Sequence, residues 1–257
     1  MTGAAIREMF DRGTGPPLVV IPGVQGRWEW MQPALDALAA SCRTISFSLP
    51  PVRTFDDLLA SIDRVLDRRG LASAAICGVS FGGRVAAAYA ATRRARTAAL
   101  IVVSAPGPSW TPSAVQAAYL ERPWRSTPAF LVSSPLRMWP EIAAAIPDRT
   151  KRLRFALTHT ARIVAAPIVP AAMAARMRLA MPFDLAEACR RIAAPALVVT
   201  GEPALDRVVP VASTREFVSL IPGAKYDMME GTGHIGLVTK PDRFARVVGT
   251  FVHAATS

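Results

Sequence analysis

The chain has 257 residues, 51% of them hydrophobic, which suits one large domain with room for an inserted subdomain and a sizeable core. Thirty Lys and Arg against nineteen Asp and Glu give a formal charge of +11. The arginines are scattered, with no basic run longer than two and no interleaved aromatics, a pattern that argues against a nucleic-acid partner. Cys42, Cys77 and Cys189 are far apart and odd in number, so they form neither a disulfide framework nor a metal-ligand spacing, and they point to a reducing, cytoplasmic setting.

Residues Met1 to Phe10 lack an apolar stretch of signal-peptide length. Ala5 to Phe10 reads as a first strand, with Asp11-Arg12-Gly13 as a turn. Leu18 to Ile21 is an all-apolar run between Pro17 and Pro22, as expected of a strand buried on both faces. It leads into a loop, Pro22 to Gly26, and then a helix over Gln32 to Ser41 with Pro33 in its first turn. Thr44 to Ser48 is the next strand. Thr54 to Arg69 is an amphipathic helix with Phe55, Leu58, Leu59, Ile62, Val65 and Leu66 on one face. Thr54 and Asp57 make a capping pair at its start, and Gly70 stops it. A strand then runs into Gly78-Val79-Ser80-Phe81-Gly82-Gly83, with a helix from Arg84 to Thr92 and a further strand from Ala98 to Val103.

Strands alternating with helices predict a mostly parallel, doubly wound α/β sheet. The alternation breaks between Pro108 and Ala186, where helical pieces (Ala114 to Leu120, Glu141 to Ile146, Ala171 to Met181) stand without strands. This reads as an inserted α-helical cap over residues 108–186, with a core of 1–107 and 187–257. The longest apolar run, Ile163 to Ala175, is too short to span a bilayer and contains Pro167 and Pro170, so no stable membrane insertion is expected. The alternation resumes with a strand at Ala196 to Thr200, a helix near Ala212 to Leu220, a strand near Lys225 to Met229 and a helix over Asp242 to Val252.

A Gly-x-Ser-x-Gly pattern between a buried strand and a helix places Ser80 on a strained turn with its hydroxyl outward. Side chains at 78 or 82 would clash as strand and helix fold back on each other, and the free amides at the helix start face developing negative charge. A serine nucleophile needs a base, and the base needs an acid to orient it. His234 lies in a glycine-rich turn, Gly231-Thr232-Gly233-His234-Ile235-Gly236, after a strand, where catalytic side chains gather. His159, in the expected cap, and His253, at the end of the last helix, read as structural, with His159 keeping a role as a possible substrate contact. After the strand at Ala196, Glu202 and Asp206 both qualify as the acid, and Asp206, deeper in the loop before Val208-Val209-Pro210, is preferred.

Ser80, Asp206 and His234 in this order, on alternating strands with a helical insertion after Gly107, resemble the α/β-hydrolase superfamily over nearly the whole chain. The resemblance implies an oxyanion hole from the backbone amides of Phe81 and of Val24, or else Gln25, in the loop after the Leu18 strand. Pro22-Gly23 stands where many members carry His-Gly, and Leu49-Pro50-Pro51 where many carry an Asp- and Gly-containing turn. The implied activity is that of a serine hydrolase, in the simplest case a carboxylesterase, working through an acyl-enzyme with no metal or organic cofactor. Serine at 80 argues against the dehalogenase and epoxide-hydrolase branches, which use aspartate there. Thioesters, lactones, amides, certain carbon–carbon bonds and perhydrolysis stay open, as does a ligand-binding protein on the same fold. The partner is a small acyl substrate, bound by a monomer or homodimer. The expected cap holds ten Arg or Lys and four Asp or Glu, with Trp110, Trp124, Phe130, Leu131, Met138, Trp139, Phe155, Met173, Met177 and Met181 as an adaptable apolar lining or as packing.

Overall fold

The structure, a computed structural model, describes residues 9–124, 137–166 and 169–256. Among these residues seven strands form one sheet: β1 (Met9–Arg12), β2 (Pro17–Ile21), β3 (Arg43–Phe47), β4 (Ala74–Val79), β5 (Thr97–Val103), β6 (Ala196–Thr200) and β7 (Lys225–Met228). Their spatial order is β1-β3-β2-β4-β5-β6-β7, with β1 antiparallel to β3 and every other pair parallel. The doubly wound, mostly parallel sheet expected from the alternation is the sheet observed.

The helices of the α/β part are α1 (Gln32–Leu38), α2 (Phe55–Arg68) and α3 (Phe81–Thr92) before the insertion, and α8 (Leu185–Arg190), α9 (Val211–Leu220), α10 (Gly236–Thr239) and α11 (Pro241–Thr256) after it. They divide between the two faces of the sheet, and the strands show why. Alternate residues feed alternate cores: Val19 and Ile21 pack with α2, α3, α8 and α9, whereas Leu18 and Val20 pack with α1, α10 and α11. The same split runs through Ile76 against Cys77 and Val102 against Ile101. Because both faces are covered, β2, β4, β5 and β6 are apolar almost throughout. All three cysteines are buried free thiols.

The first strand continues past Phe10 to Arg12. Asp11 and Arg12 pair with Ile45 and Thr44 instead of turning, and the Asp11 carboxylate accepts hydrogen bonds from Arg43 at 3.1 and 3.2 Å. The part of the expected strand before Met9 lies outside the described residues. Helix α1 stops at Leu38, three residues early, because Ala40 and Ser41 donate to Ala37 and Leu38 in a tightened last turn. Helix α3 starts at Phe81, three residues sooner than expected; the low propensity of Gly82 and Gly83 hid its first turn.

Between β5 and α8 the described residues include the helices α4 (Ala114–Glu121), α5 (residues 137–145), α6 (Arg149–Ala165) and α7 (Pro170–Ala180). Three correspond to the helical pieces read from the sequence, and α6 does not. Its Leu153, Leu157 and Val164 point to solvent and its inner face, with Phe155 and His159, is only half-buried, so it shows no continuous core-facing apolar stripe. Ala180 and Leu185 belong to the core beside α3, and residue 186 falls inside α8. Phe130 and Leu131 lie outside the described residues. Among the described residues no single helix is long and apolar enough to cross a membrane.

The start of α2 is fixed by the expected pair: Thr54 Oγ1 accepts from the Asp57 amide at 3.1 Å, and Asp57 Oδ2 accepts from the Thr54 amide at 3.0 Å. These bonds hold Asp57 below the usual carboxylate range. Thr54→Ala should cost about 1 kcal/mol, read as a lower midpoint with unchanged slope in urea denaturation.

Candidate active site

Parallel register brings the carboxyl ends of the strands level. Ile21 faces Gly78, Val79 faces Val103, Val103 faces Val199 and Thr200 faces Met228. The loops that follow β2, β4, β5, β6 and β7 therefore leave the sheet along one edge.

Ser80 sits there at φ 55° and ψ −123°, a backbone conformation that L-residues rarely adopt. Its amide donates to Val103 O at 2.8 Å and its carbonyl accepts from Gly83 N at 2.9 Å, so neighbours on both sides hold the strained turn. The close approach demands glycine: a Cβ on Gly78 would overlap the carbonyl of Gly82, and a Cβ on Gly82 would overlap the carbonyls of Ile21 and Pro22. Phe81 is the first residue of α3, where an amide has no partner inside the helix. On the other side a turn closes as Gly26 N donates to Gly23 O at 2.8 Å. A Cβ placed on Gly23 would stand 3.5 Å from Ser80 Cβ and 4.0 Å from Ser80 Oγ, so this turn lies against the serine. It carries Val24 and Gln25, the two candidates for the second oxyanion amide. Among the described residues Ser104, at the end of β5, is the other non-glycine residue with positive φ, at 42°; no sequence pattern marked it.

The two acidic candidates separate. Asp206 is buried and its Oδ2 lies 3.3 Å from His234 Nδ1, while its Oδ1 accepts from the amides of Val208 at 3.0 Å and Val209 at 2.9 Å. Both oxygens of the carboxylate are thus engaged, one on the ring and one on the backbone that presents it. Glu202 accepts from Gly231 N and its own amide donates to Thr232 O at 2.8 Å, so it ties down the start of the histidine turn and leaves the ring alone. His234 is buried too. Among the described residues no hydrogen bond joins His234 to Ser80, whose side chain is half-buried; such bonds are often long without substrate.

His159 and His253 stand elsewhere. His159 stacks on Phe155 at 5.2 Å between ring centroids and meets Trp30 edge-on at 6.4 Å. Burial, with Arg162 nearby, pushes its imidazole down to about 4. His253 is exposed on α11 with Nε2 2.9 Å from Ser41 O.

Two buried charges from the insertion reach these loops, and neither was singled out from the sequence. Glu141 on α5 is 1% exposed, and both its oxygens accept from the amide of Ile235, next to His234, at 3.0 and 3.1 Å. Burial raises its carboxyl to about 7, with Asp206 adding to the rise, against the opposing pull of the Ile235 and Gly233 amides and His234. Arg176 on α7 is 9% exposed and donates to Val24 O at 3.0 Å, Gln25 O at 3.1 Å and Leu49 O at 3.0 Å. Burial lowers its guanidinium from the usual range. A signal existed for Glu141, a lone acid in the apolar helical stretch Met138 to Ile146, but its partner is a backbone amide 94 residues away.

Residues 18–247 match the sequence pattern of the alpha/beta hydrolase family. Among curated proteins, a pyrrolizixenacetamide deacetylase from Xenorhabdus hominickii is 32% identical over 80 residues, a stretch that spans 31% of this chain and 29% of the relative. Among solved structures, the enol-lactonase from Burkholderia xenovorans LB400 superposes with a TM-score of 0.80 at 20% identity, over 97% of this chain and 99% of that one. A thermophilic esterase from Thermogutta terrifontis superposes at 0.76 and 22% identity, over 97% and 94%. At these identities the structural likeness shows the fold.

The Glu141 shift sets a pH dependence of stability. The folded chain holds this proton more tightly than the unfolded chain between about 4.5 and about 7, so its contribution falls as pH rises through that window and is level above it, by up to about 3 kcal/mol. Glu141→Gln has no such proton. The unfolding free energy of the variant relative to the unmutated protein should therefore improve between about pH 5 and about pH 8, measured by urea denaturation at each pH.

Proposed function

The chain belongs to the alpha/beta hydrolase family, and on that premise we propose that it is a serine hydrolase of carboxylic esters or related acyl compounds. The reading rests on one arrangement: a strained serine between β4 and α3 at the sheet edge where loops after β6 and β7 carry the Asp206–His234 pair. The similar deacetylase, enol-lactonase and esterase, by their names, act on acyl carbon–nitrogen or carbon–oxygen bonds, which favours an acyl substrate over the wider chemistry of the fold.

In this reading Ser80 Oγ attacks the substrate carbonyl as His234 Nε2 takes its proton. Asp206 Oδ2 accepts from His234 Nδ1, which selects the tautomer with a free Nε2 lone pair and stabilises the imidazolium once it forms. The oxyanion accumulates between the amides of Phe81 and Val24, with the α3 dipole behind the first. His234 then returns its proton to the leaving group, and the acyl-enzyme is hydrolysed by a water that the same imidazole deprotonates. Val24 is preferred over Gln25 because it directly follows Gly23, the residue of this turn that lies against Ser80. The helices between β5 and β6 act as a cap that selects the acyl or alcohol group.

A fluorophosphonate probe should add its mass at Ser80, with turnover of a short-chain nitrophenyl ester. Ser80→Ala and His234→Ala should abolish both, and Asp206→Asn should lower kcat by roughly 10⁴ with little change in fold. Folded protein that neither labels nor turns over would remove the hydrolase reading and leave a ligand-binding protein on the same fold.

A further inference from the structure

Among the described residues, the insertion brings two buried charges into contact with these loops, and each ends on main-chain atoms of a loop that the chemistry needs. Glu141 grips the amide of Ile235, the residue after His234, with both oxygens. It fits so closely that a Cβ on Gly233, the residue before His234, would stand 2.8 Å from Glu141 Oε2. Arg176 grips the carbonyls of Val24 and Gln25, and a Cβ on Gly26 would stand 2.5 Å from its guanidinium carbon. Holding the Val24 carbonyl also fixes the plane of the following peptide, so the turn cannot rotate as a unit. Burying a charge without an ionic partner is expensive, and both groups are held instead by backbone dipoles. A helix that only covered a pocket would need neither.

We propose that the helical insertion is a working part of the catalytic apparatus, in which Glu141 is a positioning residue for the His234 loop and Arg176 a positioning residue for the oxyanion loop. The inference rests on the serine-hydrolase reading above. The charged form of Glu141 is the effective one, since a carboxylate presents only acceptors to the Ile235 amide whereas a protonated carboxyl places an O–H among donors. The titratable groups facing Glu141 are His234, from the loop after β7, and Asp206, from the loop after β6. Acidification therefore protonates Glu141 and weakens its hold on the histidine loop.

The test compares the unmutated protein with Glu141→Gln, Arg176→Met and Arg176→Lys, each shown folded by circular dichroism, in fluorophosphonate labelling and nitrophenyl ester hydrolysis. Glu141→Gln should lower kcat by roughly tenfold or more with KM changed less than about threefold. The acid limb of log kcat/KM should be less steep in Glu141→Gln than in the unmutated protein. Arg176→Met should lose kcat to a similar degree, with Arg176→Lys between the two; if Arg176→Met does not fold, Arg176→Lys carries that arm by the same split of kcat against KM. Variants within about twofold of the unmutated protein, or an acid limb that Glu141→Gln leaves unchanged, overturn the inference for the residue concerned. Labelling of Ser80 in the unmutated protein beside unaffected variants sinks this inference only. An unmutated protein that neither labels nor turns over sinks the nucleophile assignment, and this inference with it.

Discussion

A side chain on Gly78 would collide with the carbonyl of Gly82, and one on Gly82 with the carbonyls of Ile21 and Pro22. The first turn of α3 thus lies directly on the ends of β4 and β2, with no layer of side chains between. That contact forces Ser80 into its positive-φ conformation, because the chain must reverse from strand to helix within one residue. It also brings the Gly23 turn beside the serine. The strain is held by hydrogen bonds to β5 and α3, elements buried over most of their length, so the core supplies the energy that the turn stores.

The rest of the site follows from sheet register and from how each loop is tied. Strand ends that are level put the loops after β6 and β7 next to each other. Glu202 then binds the start of the histidine turn, Asp206 binds the ring, and Glu141 binds the far side of the turn. Three carboxylates thus act on five consecutive residues, Gly231 to Ile235, and only one of them touches the imidazole. Burial works against the charge of Glu141. A fold selected for stability alone would place an apolar residue there; retaining an acid at that cost suits a group whose charge has a use.

Much of the fold was legible because local patterns and tertiary demands agree. The apolar runs of β2, β4, β5 and β6, the stripe and cap of α2, and the glycines around Ser80 each report a requirement that lies within a few residues. Disagreements arose where they conflict. Gly82 and Gly83 are poor helix formers, yet they open α3 because only glycine fits against β2 and β4. Leu153, Leu157 and Val164 face outward, so α6 carries no continuous inward stripe to read. Asp11 and Arg12 look like turn residues, but the ladder to β3 and the Arg43 ion pair hold them in a strand.

By itself the sequence determined the parallel sheet, the position of the serine turn, and the order Ser80, Asp206, His234 along the chain, because periodicity and glycine spacing are local properties. It preferred Asp206 over Glu202 only by its depth in the loop, since both are acids in one short segment. The tertiary structure separated them, through the Asx-like bonds from Val208 and Val209 that turn the Asp206 carboxylate toward the imidazole. The sequence did not reveal Glu141 and Arg176 as partners of the reactive loops. Their acceptors and donors are backbone atoms, which every residue possesses and no sequence pattern can mark; only packing α5 and α7 onto the end of the sheet selects which amide and which carbonyls they meet.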